Sequence, residues 1–227
     1  MATRTTGRAR SLTAKRRPRG RLVAVEGIDG AGKSTLVRAL SVALRKEGRT
    51  VARRHEPADP QLGSLAQTAS RRDAWTAGVY FTLDRYLARP ALEHDLGTHD
   101  VVVTDRSFYS TLAYQGSALP PPDRKRLGRL QWTATIAPDL VVLLDLDPDA
   151  ALRRVGSRSL HRGPLERLAI LRRVSREYRA LARHHRWLVL DGATTTATQV
   201  HAVTERLRRL LPRVAPRATR RARRGRR

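Results

Sequence analysis

The chain has 227 residues, enough for one α/β domain with its own core, and no cysteine, which excludes disulfides, thiolate catalysis and cysteine-held metals. No run approaches the length of a membrane span and the N-terminus lacks the apolar core of a secretion signal, so a cytoplasmic enzyme is expected. The formal net charge of +26 is concentrated at the ends, with seven basic residues and no acid in 1–20 and eight arginines and no acid in 212–227. These arms are expected to be disordered and solvated, which leaves 21–211 as the folded domain. Their charge would also permit nonspecific contact with nucleic acid or an acidic surface, without aromatic residues for reading bases.

Taken in order, Leu22–Val25 reads as a buried strand, and Gly27 to Ser34 spell G-x-x-x-x-G-K-S before a helix that runs to about Glu47 and is closed by Gly48. Thr50 to Arg53 reads as a second strand, delivering His55-Glu56-Pro57 to its carboxyl end. Pro60 to Arg72 is polar and reads as a loop with a short helix. A longer helix follows from Trp75 to about Leu96, with Pro90 expected to interrupt or kink it. Val101–Asp105 is a third strand, Ser107 opens a helix, and Pro120-Pro121-Pro122 breaks the chain before a helix over Asp123–Ala137. Leu140–Leu144 is a fourth strand ending in Asp145, and Asp149–Val155 is helical. A basic loop follows, then a helix marked by Leu168, Leu171, Val174, Tyr178 and Leu181. Trp187–Leu190 makes a fifth strand before a last helix marked by Val200, Val203, Leu207 and Leu210. This alternation predicts an α/β P-loop NTPase fold: a five-stranded parallel sheet, helices on both faces, and a short basic lid at about 156–165.

The glycine-rich loop carries the clearest chemistry. Gly27, Gly30 and Gly32 let backbone N–H groups of Gly27, Ile28, Asp29, Gly30, Ala31 and Gly32 approach an anion, and the helix N-terminus at Lys33, Ser34 and Thr35 adds its positive end. Lys33 supplies a point charge for the β- and γ-phosphates of ATP, and the Ser34 hydroxyl is suited to Mg²⁺. Asp105, at a strand's carboxyl end, is the preferred second ligand, with Asp145 as rival. Arg106 is suited to clamping a phosphate.

Glu26 to Thr35 (EGIDGAGKST), Asp105-Arg106 and Ala113-Tyr114-Gln115-Gly116 together resemble bacterial thymidylate kinases. So do Glu56-Pro57, Phe81-x-x-x-Arg85 and Pro138-Asp139-Leu140, in the same order along Arg21 to Leu211. The resemblance implies transfer of the ATP γ-phosphoryl group to dTMP with Mg²⁺, in a homodimer. It implies that Phe81 stacks on the pyrimidine and that Arg85 holds the base or the acceptor phosphate. Tyr114 and Gln115 would border the nucleoside, and Ser110 would lie near the base. Asp29 would approach the acceptor sugar or phosphate, with Glu56 and Arg106 completing that pocket. Because this P-loop has no arginine, the family pattern requires one from the lid, with Arg158 or Arg162 as the candidates.

The chain departs from the family in two places. It has His55-Glu56-Pro57-Ala58-Asp59 in place of Arg-Glu-Pro-Gly-Gly, and His161-Arg162-Gly163-Pro164 in place of a lid segment of the Asp-Arg-Ile-Glu type. Two other readings stay open at this point: a deoxynucleoside or variant pyrimidine-nucleotide kinase, with Glu56 as base for an alcohol acceptor, and a basic nucleic-acid-binding protein with a regulatory P-loop.

Overall fold

The structure, a computed structural model, describes residues 19–155 and 164–211. Five strands, β1 (Arg21–Glu26), β2 (Val51–His55), β3 (Val101–Asp105), β4 (Leu140–Asp145) and β5 (Leu188–Asp191), form one parallel sheet in the order β2-β3-β1-β4-β5. From the central β1 the chain first fills one side of the sheet and then crosses to the other. The point of reversal therefore lies at the carboxyl end of β1, where open α/β sheets bind ligands.

Both faces of the sheet are covered, which is why the strands are almost continuously apolar. Val23 and Val25 face one core with Val101, Val103 and Val142, packed under α1 (Lys33–Lys46), α7 (Pro164–His185) and α8 (Thr196–Arg208). Leu36, Leu40 and Leu44 of α1 are fully buried there, each stabilising the fold by about 1.5–3 kcal/mol. The alternate residues face the other way. Ala24 and Val141 pack on Phe108 and Tyr109 of α4 (Phe108–Tyr114), and Leu22 and Val102 pack on Leu96 of α3 (Ala74–Thr98). Helix α1 ends as the sequence expects: Gly48 donates to Arg45 and Arg49 donates to Leu44, the paired bonds of a Schellman motif.

Several expectations are corrected. Helix α3 runs unbroken through Pro90. Pro90 lies on the exposed side, where water can take the Tyr86 carbonyl that the proline leaves without a donor. The polar stretch after β2 is chiefly a ten-residue helix, α2 (Pro60–Ala69), because the Asp59 carboxylate accepts from Gln61 and Leu62 N–H and Pro60 pre-sets the first turn. Helix α5 (Pro121–Ala134) starts within the proline run and ends three residues early, since a proline is tolerated in a first turn. Strand β2 is shifted to reach His55, and α6 spans Pro148–Val155. Gly20 N–H donates to the Leu96 carbonyl at 2.8 Å. No helix among the described residues is long and apolar enough to cross a membrane.

Helices α3 and α5 approach closely at Gly78, where a Cβ would stand 2.8 Å from Leu127 Cδ1. That contact lets side chains one turn further on, Thr82 and Gln131, reach each other.

Candidate active site

At the end of β1 the chain turns through Gly27–Gly32 into α1. Gly30 has φ +86° and no room for a side chain, because a Cβ would lie 2.5 Å from the Ala151 carbonyl oxygen of α6. Ile28 and Ala31 bury their side chains in the main core, so these two residues can offer a ligand only their backbone. Gly32 caps α1 with no side-chain bond to the first turn, leaving the N–H groups of Lys33, Ser34 and Thr35 disposed for an anion. Lys33 is buried and folded back onto the loop, its Nζ donating to the Ile28 carbonyl at 2.9 Å and lying 4.0 Å from Asp29 Oδ1. Burial, followed by the charge of Arg106, lowers its pKa to about 8, against the pull of Asp29, Asp105 and Glu26.

Two acids end strands here. The Asp105 carboxylate accepts the Ser34 hydroxyl, which brings together the two residues expected at a metal. Asp145, the rival, is instead bound at both oxygens by Arg179 Nε, at 3.0 and 2.8 Å.

Arg106 follows Asp105 in a left-handed conformation, φ 75°, costing about 1–2 kcal/mol for a residue with a Cβ. The turn is held by Arg106 N–H on Val25 O (3.0 Å) and Thr104 Oγ1 on Arg106 O (2.9 Å). Its effect is to swing the guanidinium across the front of the sheet onto Asp29 and onto Ser110 Oγ (3.1 Å), with Cζ 5.4 Å above the Tyr114 ring. Burial works to raise the Asp29 pKa, but the charges of Arg106 and Lys33 outweigh it and hold the carboxyl below its ordinary range. The Tyr114 hydroxyl accepts the Asp29 N–H at 3.0 Å. Burial and the Asp29 charge raise the phenol's pKa, so Tyr114 stays neutral.

Beneath Arg106 lies Glu26, which is completely buried. Its carboxylate accepts Ser107 (2.6 Å), Ser110 (2.7 Å) and Tyr178 (2.9 Å) hydroxyls, tying β1 to α4 and α7. Burial raises its pKa, partly offset by those bonds and by Arg106.

From Asp29 and Arg106 a cavity of about 530 Å³ runs past Ser110, Tyr114 and Gln115 to Phe81 and Arg85, with Glu56 also on its wall. Arg85 is buried and donates from Nε to Glu56 (2.5 Å), from Nη1 to Thr111 Oγ1 (2.9 Å) and Gln131 Oε1 (2.8 Å), and from Nη2 to the Ser107 carbonyl (3.2 Å). Gln115 Nε2 reaches Ser70 Oγ at 3.3 Å. All eight residues expected at the acceptor thus stand around one cavity. Arg158 and Arg162 lie outside the described residues.

Sequence reasoning missed Glu26, Thr111, Gln131 and Asp84. Glu26 carried a readable signal, an acid ending an apolar strand, the same one that singled out Asp105. Asp84 explains the unusual loop after β2: its carboxylate accepts the N–H groups of Ala58 (2.9 Å) and Asp59 (2.7 Å), so the loop is clamped by α3 without its glycines.

A family model described as thymidylate kinase matches residues 25–203. The thymidylate kinase of Solidesulfovibrio magneticus is 36% identical over 204 residues, spanning 80% of this chain and 95% of its own. The chain belongs to the thymidylate kinase family. A probable thymidylate kinase of Methanothermobacter thermautotrophicus is 36% identical over 155 residues, 63% of this chain and 73% of that one. The thymidylate kinase of Xanthomonas oryzae pv. oryzae is 39% identical over 155 residues, 65% of each chain. The protein is accordingly an ATP-using kinase, a transferase of nucleotide biosynthesis.

Proposed function

We infer that this kinase transfers the γ-phosphoryl group of ATP to dTMP, giving dTDP and ADP, the activity of the family to which it belongs. The observation that carries the acceptor assignment is the single cavity joining the P-loop, at Asp29 and Arg106, to Phe81 and Arg85. An acceptor phosphate is already ionised, so no base is required; the protein must align two anions and neutralise charge on the migrating group. The P-loop N–H groups and Lys33 bind the ATP phosphates. Arg106, directed by its left-handed turn, holds the acceptor phosphate, and Asp29 keeps that guanidinium in place until the phosphate arrives. Phe81 stacks on the base, Tyr114 and Gln115 close the nucleoside side, and Ser110 steadies Arg106. Arg158 or Arg162 supplies the remaining cation over the transferred group.

Arg85 faces the base and not the phosphate. Of the five N–H groups of a guanidinium, four are engaged, by Glu56, Thr111, Gln131 and Ser107. Each two-donor edge therefore has a donor already in use, which prevents bidentate capture of an anion. The same pairing occupies Glu56, the base that a nucleoside acceptor would require.

Magnesium suits the Ser34–Asp105 pair. Both are hard oxygen donors, already in contact, and so small a set leaves the waters that Mg²⁺ retains. When bound, the ion neutralises charge on the β- and γ-phosphates.

A homodimer is supported by the outer face of α3, where Val79, Leu83, Tyr86 and Leu87 are exposed at helical spacing beside Leu65 of α2. A second copy of the same face would bury them.

The test is ADP release with Mg²⁺-ATP against dTMP, dUMP, dCMP, thymidine and deoxycytidine. Turnover with dTMP is expected. Turnover with the nucleosides and none with dTMP would overturn the assignment.

A further inference from the structure

The donor count at Arg85 leaves one Nη2 hydrogen for whatever fills the cavity, and where that hydrogen stands depends on residues that never touch the cavity. Thr82 Oγ1 donates its only proton to the Gly78 carbonyl at 2.7 Å. Its oxygen can then only accept, and it accepts from Gln131 Nε2 at 2.5 Å. That fixes which way the Gln131 amide points: the NH₂ faces Thr82, so Oε1 faces Arg85 Nη1, at 2.8 Å. A flipped amide would set an NH₂ against a guanidinium and an acceptor against a hydroxyl with no proton left. Gln131 is completely buried, and Thr82 and Arg85 nearly so, so no water can stand in for a missing partner. The relay exists because α3 and α5 touch at Gly78 and Leu127, one turn before Thr82 and Gln131.

We propose that Gln131 is a positioning residue for selection of the acceptor base, acting by locking Arg85 through this one-way relay. The proposal rests on the reading of Arg85 as the arginine that faces the base. A guanidinium held at four donors offers a single donor in a single place. It favours a base with a carbonyl there and opposes one with an amino group, which sets donor against donor. Thymine and uracil carry a carbonyl at the ring position where cytosine carries an amino group. Sites built to hydrogen-bond one group discriminate strongly because the wrong partner leaves buried polar atoms unpaired. Once the relay is broken, Arg85 can rotate, and the discrimination relaxes.

The experiment compares dissociation constants and kcat/KM for dTMP and dCMP in the full-length protein and in Gln131→Met, which keeps the volume and loses the acceptor oxygen. The expected result is a dTMP-to-dCMP preference reduced about tenfold or more, with KM for ATP unchanged. Gln131→Glu, which keeps an oxygen on Arg85, is expected to restore most of the preference. A Gln131→Met protein that loses activity equally on both nucleotides, with the preference intact, would overturn the proposal and leave Gln131 a packing residue. If that variant does not fold, Thr82→Val releases the amide from the other end; an unaltered preference there would overturn the proposal equally. Arg85→Lys separates the underlying reading from the relay. A preference unchanged in Arg85→Lys refutes the base-facing role and the relay with it. A preference lost in Arg85→Lys but kept in both relay variants refutes the relay alone.

Discussion

Lys33 gives the sharpest quantitative expectation. In the free protein its ammonium is buried, close to the Arg106 charge, and its pKa is lowered to about 8. Bound phosphates reverse that balance, so ATP binding selects the protonated lysine and takes up a proton wherever the free enzyme has lost one. With the pKa near 8, about nine-tenths of Lys33 is charged at pH 7 and about one-tenth at pH 9. The dissociation constant for ATP should therefore rise roughly tenfold over that interval, with proton uptake approaching one per ATP at its upper end. Titration calorimetry in buffers of different ionisation enthalpy measures both quantities. Lys33→Arg, which stays protonated throughout, should bind with a flat profile. The same group also makes stability depend on pH without ligand, because its buried charge is a cost to the folded state at neutral pH. Between about pH 8 and 10.5 the unfolded chain holds a proton that the folded one has released, so stability rises with pH across that window, by roughly 3 kcal/mol at most for this group. An ATP affinity constant from pH 7 to 9.5, with no proton uptake, would refute the reasoning.

The loop that departs from the family pattern gives two further tests. Asp59→Ala removes the carboxylate that accepts Gln61 and Leu62 N–H at 2.7 and 3.0 Å, and should cost about 1 kcal/mol, seen as a fall of a few degrees in Tm. Asp84→Asn replaces one of the two acceptor oxygens on Ala58 and Asp59. It should destabilise by about 1–3 kcal/mol and raise KM for dTMP but not for ATP; an equal rise in both would mean that the loop does not serve the acceptor side. Glu26→Gln sets an NH₂ either against the Ser107 hydroxyl or against both the Ser110 and Tyr178 hydroxyls, so one or two of the three hydroxyl-accepting contacts become donor-to-donor. The expected result is a folded protein with kcat/KM for dTMP lowered about tenfold or more, because the hydroxyl network beneath Arg106 has lost part of its acceptor.

How much of this was legible depended on whether a feature is local or assembled. The P-loop was fully legible, since strand, glycines and helix start are adjacent in the chain and each is required by backbone geometry. Sheet order was legible only as alternation: nothing in Val101–Asp105 or Leu140–Asp145 says which of them lies on which side of β1. Pro90 misled because its penalty falls on a carbonyl, and whether water can reach that carbonyl is a tertiary fact. Asp59 could have been read as a helix cap, being an aspartate just before a proline-led run. Asp84, Thr82 and Gln131 had no such signal. Polar residues on helices ordinarily face solvent, and only the packing of α3 on β2 and α5 turns these three inward.

The two arginines of the acceptor cavity show why assembly decides chemistry. In the sequence Arg106 is suited to clamping a phosphate, and the family resemblance leaves Arg85 to hold either the base or the acceptor phosphate. In the fold they differ in what is left unspent. Arg85 is paired with Glu56 and bonded on every side, so its charge is largely compensated and its directionality is what remains. Arg106 sits in a strained backbone conformation with hydrogen bonds to Asp29 and Ser110, and keeps N–H donors in reserve on a guanidinium whose partly buried setting strengthens its pull on an anion. A donor that is fixed and neutralised reads a base; a donor that is charged and partly free takes a phosphate. Exchanging these environments is therefore more informative than deleting either residue. Glu56→Gln should leave Arg85 with an uncompensated charge, draw an anion toward the base end of the cavity, and make inorganic phosphate a better inhibitor against dTMP. Unchanged phosphate inhibition in Glu56→Gln would mean that charge compensation is not what separates the two roles.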